Sequence, residues 1–227
     1  MSDESKVPQG ERDRQRANQI IRGVIDRLLR LAQNRPFRFR DTSRAEASMY
    51  LAGLFRFEGL LGGYINTLEK MNARFPLVFR AYLREMGREH AALFEGSEAD
   101  PYQMREYKRR ALDLLKRDGV KEQVLGRNHV VFMFHQGYTF LYFEGGDRER
   151  FDSPVYQYTE GAAAPKKVAE GFAELLDAEL RLMEENNRLQ RESGGYFVSL
   201  AGGFRRTVYP ARGEDPSPLE TEDQFTD

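Results

Sequence analysis

The chain of 227 residues contains no cysteine, so disulfides, thiolate metal sites and a cysteine nucleophile are excluded. It has no long uncharged apolar run; its most apolar window, Met49 to Ile65, carries Arg56 and Glu58 in its middle. The opening MSDESKVPQGERDRQR has no apolar segment of the kind a secretory leader needs. The reading is therefore a soluble, cytoplasmic chain without a membrane partner. No excess of one charge sign exists: 35 Lys and Arg stand against 36 Asp and Glu, which argues against bulk electrostatic binding of nucleic acid. Sequence signatures of chemistry are missing too. There is no GxxxxGK[ST], no GxGxxG after a strand, no GxSxG and no HExxH.

What is present is 40 % hydrophobic and 31 % charged, enough to build one large core at this length. The charge is unevenly placed. Residues 1–45 hold eleven basic and six acidic side chains, a net of +5, and residues 210–227 hold one basic and six acidic, a net of −5. Both ends read as solvated segments: a flexible arm over 1–18 and an acidic tail over 210–227, flanking a single domain over 19–209.

Apolar spacing predicts the elements of that domain. Ile20, Ile21, Val24, Ile25, Leu28 and Leu29 share one helix face, and Pro36 bars continuation. Tyr50, Leu54, Phe57, Leu61, Tyr64, Leu68 and Met71 form a seam of alternating four- and three-residue steps, predicting a long helix over 43–71 with a kink near its glycines. Pro76 suits a first helical turn, and Phe79, Tyr82, Leu83 and Met86 face a core before Gly87. Leu93-Phe94 suggests a short strand, and 101–117 a further helix ending at Asp118-Gly119.

At Asn128 the pattern changes. Two β-branched and aromatic runs, 129–134 and 138–143, are joined by His135-Gln136-Gly137, a tight turn with its glycine. A third run, 153–158, has Pro154 at its start. The three predict an antiparallel meander, followed by a helix over 166–192 and a hairpin pairing 196–200 with 204–209. Helices, then sheet, then helix make an α+β fold, with 76–87, 101–117 and 166–192 packed on the sheet and helices 19–34 and 43–71 as an added layer.

Candidate chemistry is sparse. His129 and His135 flank one strand, too far apart to share a metal, so no metal and no cofactor is expected. Glu89-His90 and Glu184-Glu185-Asn186-Asn187 contain acid/base groups, but helical neighbours point about 100° apart and do not converge. The segment Arg35-Pro-Phe-Arg-Phe-Arg40 resembles a phosphate contact with stacking rings, against a connector whose rings tuck inward. Aromatic density in the meander is the stronger signal. Alternation puts Tyr138, Phe140 and Tyr142 on one face, with Thr139, Leu141 and Phe143 on the other. One face packs under helices; the second is either a tyrosine-rich binding surface or covered as well.

From Phe75 to about Met183 the order of elements resembles the SUKH superfamily, which includes a fungal cell-wall regulator and many bacterial immunity proteins. The likeness rests on Phe75-Pro-Leu-Val-Phe-Arg-Ala-Tyr-Leu-Arg-Glu-Met-Gly87, on Val130-Val-Phe-Met-Phe-His-Gln-Gly-Tyr-Thr-Phe-Leu-Tyr-Phe143, and on Asp152-Ser-Pro-Val-Tyr-Gln-Tyr158. The resemblance implies a SUKH-like antiparallel sheet packed against several helices, and a non-catalytic protein-binding domain rather than an enzyme. It implies an immunity protein that neutralises a cognate toxin by direct binding, with an intracellular scaffold or regulatory module as the alternative. The expected partner contacts are Tyr138, Tyr142, Tyr156 and Tyr158, with Asp147 and Asp152 on the rim. A pocket at His135 with Glu144 or Glu160 is the one candidate enzyme site.

Overall fold

The computed structural model describes residues 8–34, 56–91, 93–94, 96–121, 124–146, 149–193, 196–199 and 205–208. The basic segment 35–40, the predicted helical stretch 43–55, Asp147 and the acidic tail 210–227 lie outside these described residues.

Helix α1 (Gln9–Asn34) begins eleven residues before its apolar periodicity does, at Ile20, which corrects the expectation of a loose arm for residues 9–18. Its first turns bury almost nothing except Ala17. They are tied down by polar contacts instead: Arg14 pairs with Glu149 at 3.0 Å, and Arg16 lies over the Phe151 ring at 4.7 Å. Strand β1 (Phe57–Glu58) pairs with β2 (Glu89–His90), so the seam residue Phe57 is in a strand rather than a long helix. Helix α2 is shorter than predicted, Gly62–Met71. A Cβ on Gly59 would lie 1.6 Å from the Arg84 carbonyl oxygen, because the chain runs against the end of the next helix and Leu60 N–H donates to Leu83 O.

Helix α3 (Leu77–Met86) follows Pro76, whose φ of −57° and ψ of 149° lead the chain into it. Leu93 and Phe94 sit in a turn, and the short strand is β3 (Ser97–Glu98). A 3-10 turn (Pro101–Gln103) opens helix α4 (Met104–Arg117).

The main sheet is a continuous antiparallel meander of five strands in the order β3-β4-β5-β6-β7. Here β4 is His129–His135, β5 Thr139–Glu144, β6 Val155–Thr159 and β7 Lys166–Ala169. Gln136 (φ 48°) and Gly137 (φ 82°) make the β4–β5 turn left-handed at both centre positions, the geometry that matches strand twist. Residues 166–169 were expected to be helical; they are an edge strand whose lysines keep its outer side solvated. Helix α5 (Phe172–Ser193) follows, and β8 (Tyr196–Ser199) pairs with β9 (Arg205–Val208) as the predicted hairpin.

The fold is α+β, and the sheet is covered on both faces. On one side, α1, α3 and α5 share a core with Phe132, Met133, Leu141, Phe143 and Val155. Phe79 is its aromatic centre, 4.9 Å from both Phe143 and Phe172 and 5.6 Å from Phe132. Arg27 ties α1 to α5 through Glu184 at 2.8 Å and Asp177 at 2.5 Å. Helix α1 packs on α3 and α5 rather than on the strands, an added N-terminal layer that contributes Ala17, Ile21, Val24, Leu28 and Leu31 to the same core. On the other side, α4 covers Val131, Phe134, Phe140, Tyr142 and Tyr158 with Tyr107, Ala111, Leu114 and Leu115. A bulge between Val131 and Met133 turns Phe132 and Met133 to the same face. No helix among the described residues is long and apolar enough to cross a membrane.

Candidate functional site

The meander's tyrosines were expected to meet a partner, and α4 decides their fate. Tyr158 is fully buried; its hydroxyl donates to Asp118 Oδ2 at 2.6 Å, and Gly161 N–H donates to the same oxygen at 2.9 Å. These bonds hold the Asp118 carboxyl below its ordinary range, while burial pushes the Tyr158 hydroxyl up to about 12. Tyr142 is also buried, stacked on Tyr156 at 5.4 Å and edge-on to His129 at 5.3 Å, with its hydroxyl raised by burial to about 12. Neither ring can touch a partner unless α4 leaves. That corrects the expectation for both. Tyr156 is half-buried, and Tyr138 stands exposed at the tip of the β4–β5 turn.

Asp152, expected at the rim of a partner contact, has a structural role in the fold. It caps α5 from a distance: Oδ1 accepts from Phe172 N–H at 2.9 Å and Oδ2 from Ala173 N–H at 3.0 Å. Oδ1 also accepts from Ser153 N–H at 2.8 Å, and Ser153 Oγ donates to Glu144 O at 2.9 Å. The Asp-Ser-Pro-Val segment therefore joins the end of β5, the start of β6 and the positive end of α5. Asp147 lies outside the described residues.

The acid/base sets do not converge. Glu144 pairs in register with His129, at the end of β5 opposite His135, so the pocket imagined around His135 is not assembled with it. His135 Nδ1 meets Ser97 Oγ at 2.9 Å, and His129 Nδ1 accepts from Gly126 N–H at 2.5 Å. Lys108 spends its three protons on the carbonyls of Gly126, Arg127 and His129, each within 2.9 Å, and so fixes the loop before β4. Glu184 is held by Arg27 and Glu185 by Arg188, while Asn187 is buried between α1 and α5 with an unpartnered Oδ1. Among the described residues no group of three or more His, Asp or Glu side chains is placed to hold a metal ion.

Besides Tyr138, large apolar side chains face water at Leu29 on α1, Val168 on β7, Leu182 and Leu189 on α5, and in a group on and beside α2. Leu61, Tyr64 and Met71 belong to the seam from which a long helix over 43–71 is predicted, and they are 74 %, 54 % and 47 % exposed. Only Ile65 and Leu68 of α2 are buried. Tyr64 and Met71, seven residues apart, share one flank of the helix, and Tyr64 meets Tyr102, 49 % exposed, edge-on at 6.2 Å. The seam spacing marks these residues as a row but says nothing of what covers it; Tyr102 carries no local signal at all.

No family model, no curated protein and no solved structure matches this chain.

Proposed function

We propose that the chain is a non-catalytic, cytoplasmic protein-binding domain, an immunity protein that neutralises a cognate toxin by occupying it. The observation that carries the binding part is the exposed row of Leu61, Tyr64, Met71 and Tyr102. Large apolar side chains left in water add nothing to this chain's own core, and a contacting tyrosine pair offers area with polar tips, the composition of an interface centre. Tyr138 and Tyr156 are the meander contacts that remain reachable. The toxin-neutralising part rests on the resemblance over 75–183.

Photo-cross-linking from position 64 in the source cell identifies the partner. A toxin captured there supports the reading if Y64A/Y102A binds it at least tenfold more weakly at an unchanged melting temperature; truncated centre residues cost about 2 kcal/mol or more. Undiminished affinity in that variant overturns the site. A partner that is harmless when expressed alone, or toxicity that co-expression leaves untouched, overturns the immunity role and favours a scaffold.

A further inference from the structure

Between α1, α2 and α3 the surface closes into a groove of about 640 Å³. Five cationic side chains line it, Arg14, Lys70, Arg74, Arg80 and Arg84, against two carboxylates, Glu69 and Glu149. It lies on the flank of α2 that carries Asn66 and Lys70, away from the flank of Tyr64 and Met71.

How the cations are held gives the groove its character. Glu149 neutralises Arg14, and the largely buried Glu69 takes Arg80 and also the Phe75 N–H. The remaining tethers are amides. Asn66 Oδ1 accepts from Arg80 at 3.1 Å, and Asn18 Oδ1 accepts from Arg84. An amide oxygen positions a guanidinium without cancelling its charge. Glu85 pairs with Arg84 at 3.8 Å without lining the groove, and Lys70 and Arg74 are exposed with no side-chain partner among the described residues. Two positive charges, on Lys70 and Arg74, are therefore in surplus, and Arg84, held by Asn18 and paired with Glu85, is already oriented.

The rest of the lining narrows the ligand. Among the described residues Leu77 is the one apolar side chain of the lining and no aromatic ring borders it, so these residues offer a nucleobase no stacking platform. Guanidinium forks match phosphate oxygens, and two phosphomonoesters carry roughly −3 to −4 at pH 7, enough to meet the surplus.

We propose that this groove is a binding site for a compact molecule bearing two or more phosphate groups. The site is separate from the row on α2 and does not depend on the immunity reading.

Calorimetric titration of the full chain with inorganic tripolyphosphate tests it. One site is expected, weakening between 50 mM and 200 mM salt as surface charges are screened. R74Q/R84Q, whose ligand-free melting temperature is expected to match the wild type, should bind at least tenfold more weakly. K70Q serves as an independent single variant with a smaller loss. N18A, which frees Arg84 without removing its charge, should fall between wild type and R74Q/R84Q. Absence of binding at millimolar tripolyphosphate overturns the proposal, as does equal affinity in wild type and R74Q/R84Q. Tighter binding of an oligoglutamate peptide of equal charge overturns the phosphate assignment.

Discussion

Two aromatic regions of this molecule carry the same residue type in opposite states. In the meander, Tyr142 and Tyr158 lie under α4, and their neighbours Phe132 and Phe143 lie under α3 and α5. On α2, Tyr64 and its contact Tyr102 stand in water. Density of aromatics marks where contact area is available, but not whether the chain itself uses it. In the sheet, the chain's own helices take both faces. On α2, only the narrow line of Ile65 and Leu68 is used.

The contrast can be broken from its strongest point. Phe79→Ala removes the ring on which the principal core converges, and should lower stability by about 3–5 kcal/mol, read as a large fall in urea midpoint. Asp152→Ala strips the cap from α5 and should cost about 1–2 kcal/mol, with Asp152→Asn losing less because one acceptor survives. Should Asp152→Ala leave stability intact and weaken partner binding instead, the residue returns to the rim. Tyr158→Phe keeps the ring and removes the bond to Asp118, for a loss of about 1 kcal/mol in thermal unfolding.

A pH series sharpens the comparison at the sheet's margin. Burial holds His90 and His129 below the ordinary histidine value of 6.5, against the pull of Glu89 and Glu144 respectively, with Lys108 adding to the lowering at His129. A depressed histidine gives the folded state fewer protons than the unfolded chain. Its contribution is therefore complete above 6.5 and is lost as pH falls below that value. Protonated His129 also cannot accept from Gly126 N–H. Stability should drop from pH 7 toward pH 5, and H90Q/H129Q should flatten that slope in denaturant titrations. The smallest effect is expected on α2: Tyr64→Ala should change stability by no more than about 0.5 kcal/mol. A larger loss would mean that the row is core after all.

Much of this arrangement was legible where local geometry is decisive. His135-Gln136-Gly137 reads as a tight turn because glycine readily takes a positive φ, and Pro76 marks the start of a helix, although it stands just outside it as the N-cap, with ψ of 149°. A further signal was available in β4. Val130 to Phe134 is apolar without alternation, the mark of a strand covered twice, and it argued against an open tyrosine face. Other elements left little trace. The start of α1 is polar all round and is held by Glu149 and Phe151, far along the chain. Strands β1 and β2 are two residues each, too short for any period. The edge strand β7 exposes three of its four residues, so apolar spacing could not distinguish it from the first turn of α5. In the candidate site, the row of Leu61, Tyr64 and Met71 was visible as spacing, but its exposure was not.

By itself the sequence determined the α+β class, the meander with its β4–β5 turn, the positions of α3 and α4, and the terminal hairpin. These follow from backbone sterics and from the two periods at which side chains repeat. Only the tertiary structure decided which apolar rows become core, that Asp152 caps α5 across the intervening strands, and that five cations from α1, α2, α3 and the turn before α3 meet in one groove. Burial and charge convergence are sums over segments distant in the chain, and no local pattern contains them.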